Sequence, residues 1–119
     1  MGISEISGVN IWTNNLNVMK EFYGNILELS VHSDHGNFVA FDIGTGRLNI
    51  GLHDKISGNS KDSYRIMINL GVENIHSITD RLIKNNVKII RQPEKESWGG
   101  WIATFCDPDG NILQLLQIL

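Results

Sequence analysis

The chain has 119 residues, 41 % of them hydrophobic and 19 % charged, with a formal net charge of −3. That length and balance suit a soluble folded domain and exclude disorder. The 10 Lys and Arg residues are scattered, so no basic patch is ready to neutralise phosphates, and no apolar run reaches the ~18–20 residues that span a bilayer.

The N-terminus has no basic stretch followed by an apolar one, so no secretory signal is expected. Met1-Gly2 begins like a myristoylation signal, but Ile6 stands where that motif needs Ser or Thr. Cys106 is the only cysteine, which rules out an internal disulfide and suits a cytoplasmic location.

The first expected strand is Ile6 to Trp12. Its alternation puts Val9 and Ile11 on one face and Gly8, Asn10 and Trp12 on the other. Asn14 and Asn15 offer N-cap chemistry for a helix from about Leu16 to Ile26, whose apolar stripe is Leu16, Met19, Tyr23 and Ile26, with Phe22 beside it. Strands follow at Leu29 to Ser33, Phe38 to Ile43 and Arg47 to His53, separated by the turn-forming runs His35-Gly36-Asn37 and Gly44-Thr45-Gly46. Lys55 to Ser63 is polar and reads as a linker.

After the linker the pattern repeats. Tyr64 to Gly71 reads as a strand, Asn74 to Asn86 as a helix, and Val87 to Arg91 as a strand. Gln92 to Gly100 reads as a loop. Trp101 to Cys106 and Ile112 to Ile118 read as strands joined across Asp107-Pro108-Asp109-Gly110-Asn111, where Pro and Gly suit a tight turn. The order is βαβββ, twice. Val9-Asn10-Ile11 aligns with Ile68-Asn69-Leu70, and Asn15-Leu16 with Asn74-Ile75, at one common shift of about 59 residues. This gives one domain over 1–119, with a first module at about 1–54, a linker at about 55–63 and a second module at about 64–119.

Three segments now resemble the vicinal-oxygen-chelate superfamily of glyoxalase, bleomycin-resistance and dioxygenase domains. They are Asn15-Leu16 through Phe22-Tyr23 to Leu27-Glu28-Leu29, Val72-Glu73-Asn74-Ile75, and Trp98-Gly99-Gly100 through Phe105 to Asp107-Pro108-Asp109-Gly110-Asn111 and Leu113. The resemblance covers nearly the whole chain. It implies an α+β fold of two βαβββ modules, a curled mixed sheet forming an incomplete barrel around a cleft, with the helices outside. It also implies a homodimer.

Metal enzymes of this family take ligands from the first and last strand of each module. By the resemblance these positions fall at Gly8, near Gly51, at Met67 and at Gln114. Two glycines and a thioether are poor partners for hard or borderline divalent ions, and a catalytic site needs about three protein ligands. A register slip would bring in His53, on the same strand face as Gly51. With Gln114 that still makes only two. No metal or other cofactor is therefore expected. His32, His35 and His76 read as surface histidines.

Strand parity carries the same face onward to Asn10, Trp12, Asn49, His53, Met67, Asn69 and Gln114. Trp98 and Trp101 join them as candidates because they flank the terminal motif. Amides orient a ligand by hydrogen bonds, and Trp stacks on planar rings. Packing is the competing reading for Trp12 and Trp101, and turn bracing for Trp98. Asn10 and Asn69, equivalent in the two halves, are either ligand hydrogen-bonders or a structural pair. For catalysis without metal, His53 is the best general base, because imidazole titrates near neutrality. Cys106 reads as a buried small residue rather than a nucleophile.

Two functions fit. The first is a metal-independent small-molecule-binding protein that holds an aromatic or amphipathic ligand in the cleft. The alternative is a metalloenzyme of the same fold (a lyase, isomerase or dioxygenase) with an atypical site at His53 and Gln114. Neither involves nucleic acid or a membrane.

Overall fold

A computed structural model describes residues 2–118. Contacts divide the chain into two compact units, Met1–Gly58 and Asn59–Leu119. In the first unit the alternating segments form β1 (Gly8–Thr13), β2 (Ser30–Asp34), β3 (Phe38–Ile43) and β4 (Gly46–Leu52), with α1 (Leu16–Glu21) after β1. The sheet order is β1-β4-β3-β2, with β1 parallel to β4 and the other pairs antiparallel. The second unit repeats this with β5 (Ile68–Gly71), α2 (Ile75–Lys84), β6 (Ile89–Lys95), β7 (Trp101–Cys106) and β8 (Ile112–Gln117), in sheet order β5-β8-β7-β6. Each unit is thus a βαβββ module whose four-stranded mixed sheet is not closed on itself. No helix among the described residues is long and apolar enough to cross a membrane.

Each helix covers one face of its own sheet. In the first unit Val39, Phe41, Leu48 and Ile50 are buried, as are Leu16 and Met19 of α1. In the second, Leu70, Ala103, Phe105, Leu113 and Leu115 are buried together with Ile75 and Leu82 of α2. Removing each large side chain of this kind from water contributes about 1.5–3 kcal/mol. The opposite face of each sheet mixes polar residues with apolar ones, Trp12 and Phe38 in the first unit and Ile102 and Leu116 in the second.

Several boundaries differ from the sequence reading. The first helix is α-helical only to Glu21. Phe22–Ile26 forms a wider turn, in which Leu27 N–H donates to Phe22 O at 2.9 Å. Adjacent residues of an α-helix point about 100° apart. The wider turn lets Phe22 and Tyr23 both be buried. Asn15 occupies the cap position but makes no side-chain cap bond. Thr13 Oγ1 instead accepts from Asn15 N–H at 2.9 Å. Asn74 does cap α2, accepting from Ser77 N–H at 3.2 Å.

Residues 64–67 are not a strand. The β5–β8 register pairs Ile68 with Leu113, which sets Met67 opposite Ile112, the first residue of β8, and leaves no strand for residues 64–66 to pair with. β6 runs on to Lys95 through Pro93, which an edge strand with register shifts tolerates. In the final turn, Asp107 Oδ1 accepts from the N–H groups of Asp109 and Asn111, each at 2.9 Å, and Asp107 Oδ2 accepts from Asn111 Nδ2 at 2.8 Å. That fixes the hairpin between β7 and β8.

Candidate functional site

Register decides which side chains share the helix-free face of the first sheet. Trp12 pairs with Gly51, and Gly51 with Phe38, so the three form one row across β1, β4 and β3. A Cβ at Gly51 would lie 2.7 Å from both Trp12 Cζ3 and Phe38 Cδ2. The bare glycine is what lets both rings close over the strand, with centroids 6.0 Å apart. His53 meets Trp12 edge-on, with centroids 5.4 Å apart. Trp12 stays 38 % exposed, so the cluster offers an open aromatic surface.

The next row is Asn10, Asn49 and Ala40. Asn49 Nδ2 donates to Asn10 Oδ1 at 2.9 Å, while Asn49 Oδ1 is buried with no hydrogen-bond partner. The third row is Gly8, Arg47 and Asp42, where Arg47 Nη1 pairs with Asp42 Oδ1 at 3.2 Å and His32 Nδ1 lies 3.4 Å from the same oxygen. Phe38 was missing from the sequence-derived set. Its signal was available, because counting back from the Gly44-Thr45 turn sets it opposite Gly51.

His53 is not poised as a base. Lys55 N–H donates to its Nδ1 at 3.1 Å. The neutral ring therefore carries its proton on Nε2 and presents a donor, not a lone pair. Asp54 Oδ1 lies 3.3 Å from the same Nδ1, an ion pair that forms only when the ring is protonated.

The helix-free face of the second sheet is built the same way. Asn69 pairs with Gln114, Gln114 with Thr104 and Thr104 with Arg91. Gln114 is held at both ends: its Oε1 accepts from Thr104 Oγ1 at 3.4 Å, and its Nε2 donates to Met67 Sδ at 3.4 Å. Arg91 Nη1 pairs with Glu96 at 3.1 Å and Arg91 Nε with Glu94 at 3.2 Å, which raises the Arg91 pKa further.

Two tryptophans lie away from these rows. Trp101 shares its strand face with buried Ala103 and Phe105, and its ring meets His76 of α2 edge-on at 5.0 Å. It therefore sits on the helix side of its sheet, not with Gln114. Trp98 folds onto Gly100, where a Cβ would lie 1.9 Å from Trp98 Cζ3, and so braces the turn before β7 while remaining 57 % exposed. An open groove of about 430 Å³ is lined by Gly71, Val72, Glu73, Leu116 and Ile118, none of them a sequence-derived site residue.

The register also moves one position. Asn10 and Asn69 are equivalent in the two modules, and their partners are Asn49 and Gln114. The counterpart of Gln114 is therefore Asn49, not Gly51. The four family metal-ligand positions hold Gly8, Asn49, Met67 and Gln114. A Cβ at Gly8 would lie 2.7 Å from the backbone oxygen of Arg47, so that position is closed to any side chain. Only two amide oxygens, of which Gln114 Oε1 already accepts from Thr104 and Asn49 Oδ1 is free, stand beside a thioether and a closed glycine, fewer than the three protein ligands a divalent cation of the kind this fold uses needs. Among the described residues no three His, Cys, Asp or Glu side chains gather as a metal site. Burial pushes the Cys106 thiol pKa up, which works against a nucleophilic role.

No curated protein matches the chain. Among solved structures, one described as a conserved domain protein has 20 % identity and a TM-score of 0.82, with 98 % of this chain and 100 % of that chain covered. A glyoxalase/bleomycin resistance protein/dioxygenase family enzyme from Burkholderia phytofirmans PsJN has 18 % identity and a TM-score of 0.79 over 98 % and 100 %. A lactoylglutathione lyase from Agrobacterium tumefaciens has 14 % identity and a TM-score of 0.76 over 98 % and 96 %. Likeness at these identities speaks for the fold alone. The glyoxalase-like domain family matches residues 6–119. Profile, three-segment motif and twofold βαβββ order agree, and the chain belongs to the glyoxalase-like domain family of the vicinal-oxygen-chelate superfamily.

Proposed function

We propose that this protein binds a small aromatic or amphipathic molecule without a metal. The observation that carries this reading is the Trp12–Phe38–His53 cluster, partly exposed on a helix-free sheet face beside the Asn10–Asn49 amide pair. Aromatic surface supplies affinity and amides supply orientation. The closed Gly8 position and the engaged Gln114 support metal independence.

The reading includes a homodimer in the cytoplasm, with a small molecule as the functional partner and no nucleic acid or membrane. Light scattering on the purified protein tests the dimer.

Calorimetry with nickel, zinc, manganese and ferrous iron on chelator-stripped, untagged protein tests the main claim. The expected result is no binding tighter than about millimolar, a free energy of ~4 kcal/mol. Tryptophan quenching by planar ligands, lost in Trp12→Ala, is expected alongside it. A stoichiometric micromolar metal site would overturn the reading in favour of a metalloenzyme.

A further inference from the structure

We infer that the ligand of the first unit carries an uncharged hydrogen-bond acceptor beside its aromatic ring, and that His53 Nε2–H donates to that acceptor at the edge of Trp12. The inference rests on the small-molecule reading above and names the chemistry of its ligand. Three observations carry it. Lys55 N–H occupies His53 Nδ1, so the neutral imidazole must hold its proton on Nε2. The His53 side chain is 38 % exposed and sits 5.4 Å from a Trp12 ring that is itself open. Asn10, itself exposed, adds a second neutral donor, because its Oδ1 is taken by Asn49 Nδ2 at 2.9 Å and its amide nitrogen is what it has left to offer.

The nearby charges favour a neutral ligand over an anion. Asp54 Oδ1 lies 3.3 Å from His53 Nδ1, and Arg47 of the same sheet is already paired with Asp42. A ligand carboxylate or phosphate would meet a carboxylate neighbour and find that guanidinium taken. A ligand that offers only a donor would find no lone pair on the neutral ring. A ring nitrogen or ketone oxygen in a planar molecule meets both conditions.

The test uses the full chain labelled with nitrogen-15 and two isosteric probes, quinoline with a ring-nitrogen acceptor and naphthalene without one. At about pH 8 a long-range proton–nitrogen spectrum should give the Nε2–H tautomer for His53. Quinoline should shift the Trp12 indole N–H and bind about fivefold or more tightly than naphthalene, the worth of one net hydrogen bond. His53→Phe should abolish that difference and His53→Gln should keep it.

An Nδ1–H tautomer overturns the inference. So do equal affinities of the two probes at Trp12, although the small-molecule reading then survives. If neither probe moves Trp12 up to its solubility limit, the inference and that reading both fail. The probe comparison on the unmodified protein decides the matter even if a His53 variant does not fold.

Discussion

Gly51→Ala measures how tightly the aromatic cluster is built. In a strand with free space this change stabilises by about 0.4–1 kcal/mol, because alanine has less unfolded-state freedom to lose. Here the new methyl would lie 2.7 Å from Trp12 Cζ3 on one side and 2.7 Å from Phe38 Cδ2 on the other. Rings pressing from both neighbouring strands cannot both retreat without losing contacts, and overpacking of this kind costs about 1–3 kcal/mol. The overpacking cost exceeds the entropic gain, so we expect a net destabilisation of about 1–2 kcal/mol. For a chain of this size that lowers Tm by roughly 4–8 °C. Urea unfolding gives the magnitude, and near-ultraviolet circular dichroism reads the displaced tryptophan. The same change made in a Trp12→Ala background should cost less by about 1 kcal/mol, since one of the two colliding rings is gone. A neutral or stabilising Gly51→Ala, or an equal penalty in both backgrounds, would refute the packing of Trp12 and Phe38 over this glycine.

The remaining predictions are independent of that cluster. Gly8→Ala should destabilise by about 1–3 kcal/mol in urea, because the clashing atom is the Arg47 backbone oxygen and cannot rotate away; Gly8→His should accordingly gain no nickel affinity by calorimetry. Asn74→Ala removes the cap on Ser77 N–H and should cost about 1 kcal/mol by the same unfolding assay. Gln117→Leu takes away the Oε1 that accepts from Ile75 N–H at 2.7 Å and should cost about 1–3 kcal/mol, with faster amide exchange at Ile75 as its signature. Cys106 should alkylate slowly at neutral pH, faster as pH rises, and fastest in urea, because burial holds its pKa above the usual value. By linkage, a folded thiol pKa above the unfolded one contributes stability below the unfolded pKa that is lost as pH rises through the folded one. Equal alkylation rates in buffer and in urea would contradict this.

The order of elements was legible because each module repeats the same alternation and ends in turns whose Gly and Pro residues admit few conformations. The aromatic–amide face was legible in part, since parity along β1 and β4 groups Asn10, Trp12, Asn49 and His53. Parity along one strand says nothing about where its neighbour stands, however. The family ligand position was expected near Gly51, and only the pairings Asn10 with Asn49 and Asn69 with Gln114 move it to Asn49. Trp101 is the opposite case. Ala103 and Phe105 share its parity, and their burial puts it on the helix side. That signal lay in the sequence but was masked by Ile102, which is apolar on the other face.

The role of His53 was beyond sequence altogether. Its tautomer is set by the backbone N–H of Lys55, and a backbone donor carries no residue identity to read. The histidine that was the best candidate base for a catalytic reading thereby presents a donor, which suits the ligand-binding role already placed first from the sequence. That donor, together with a Gly8 position closed by backbone, is what supports the proposed binding role for this face of the domain.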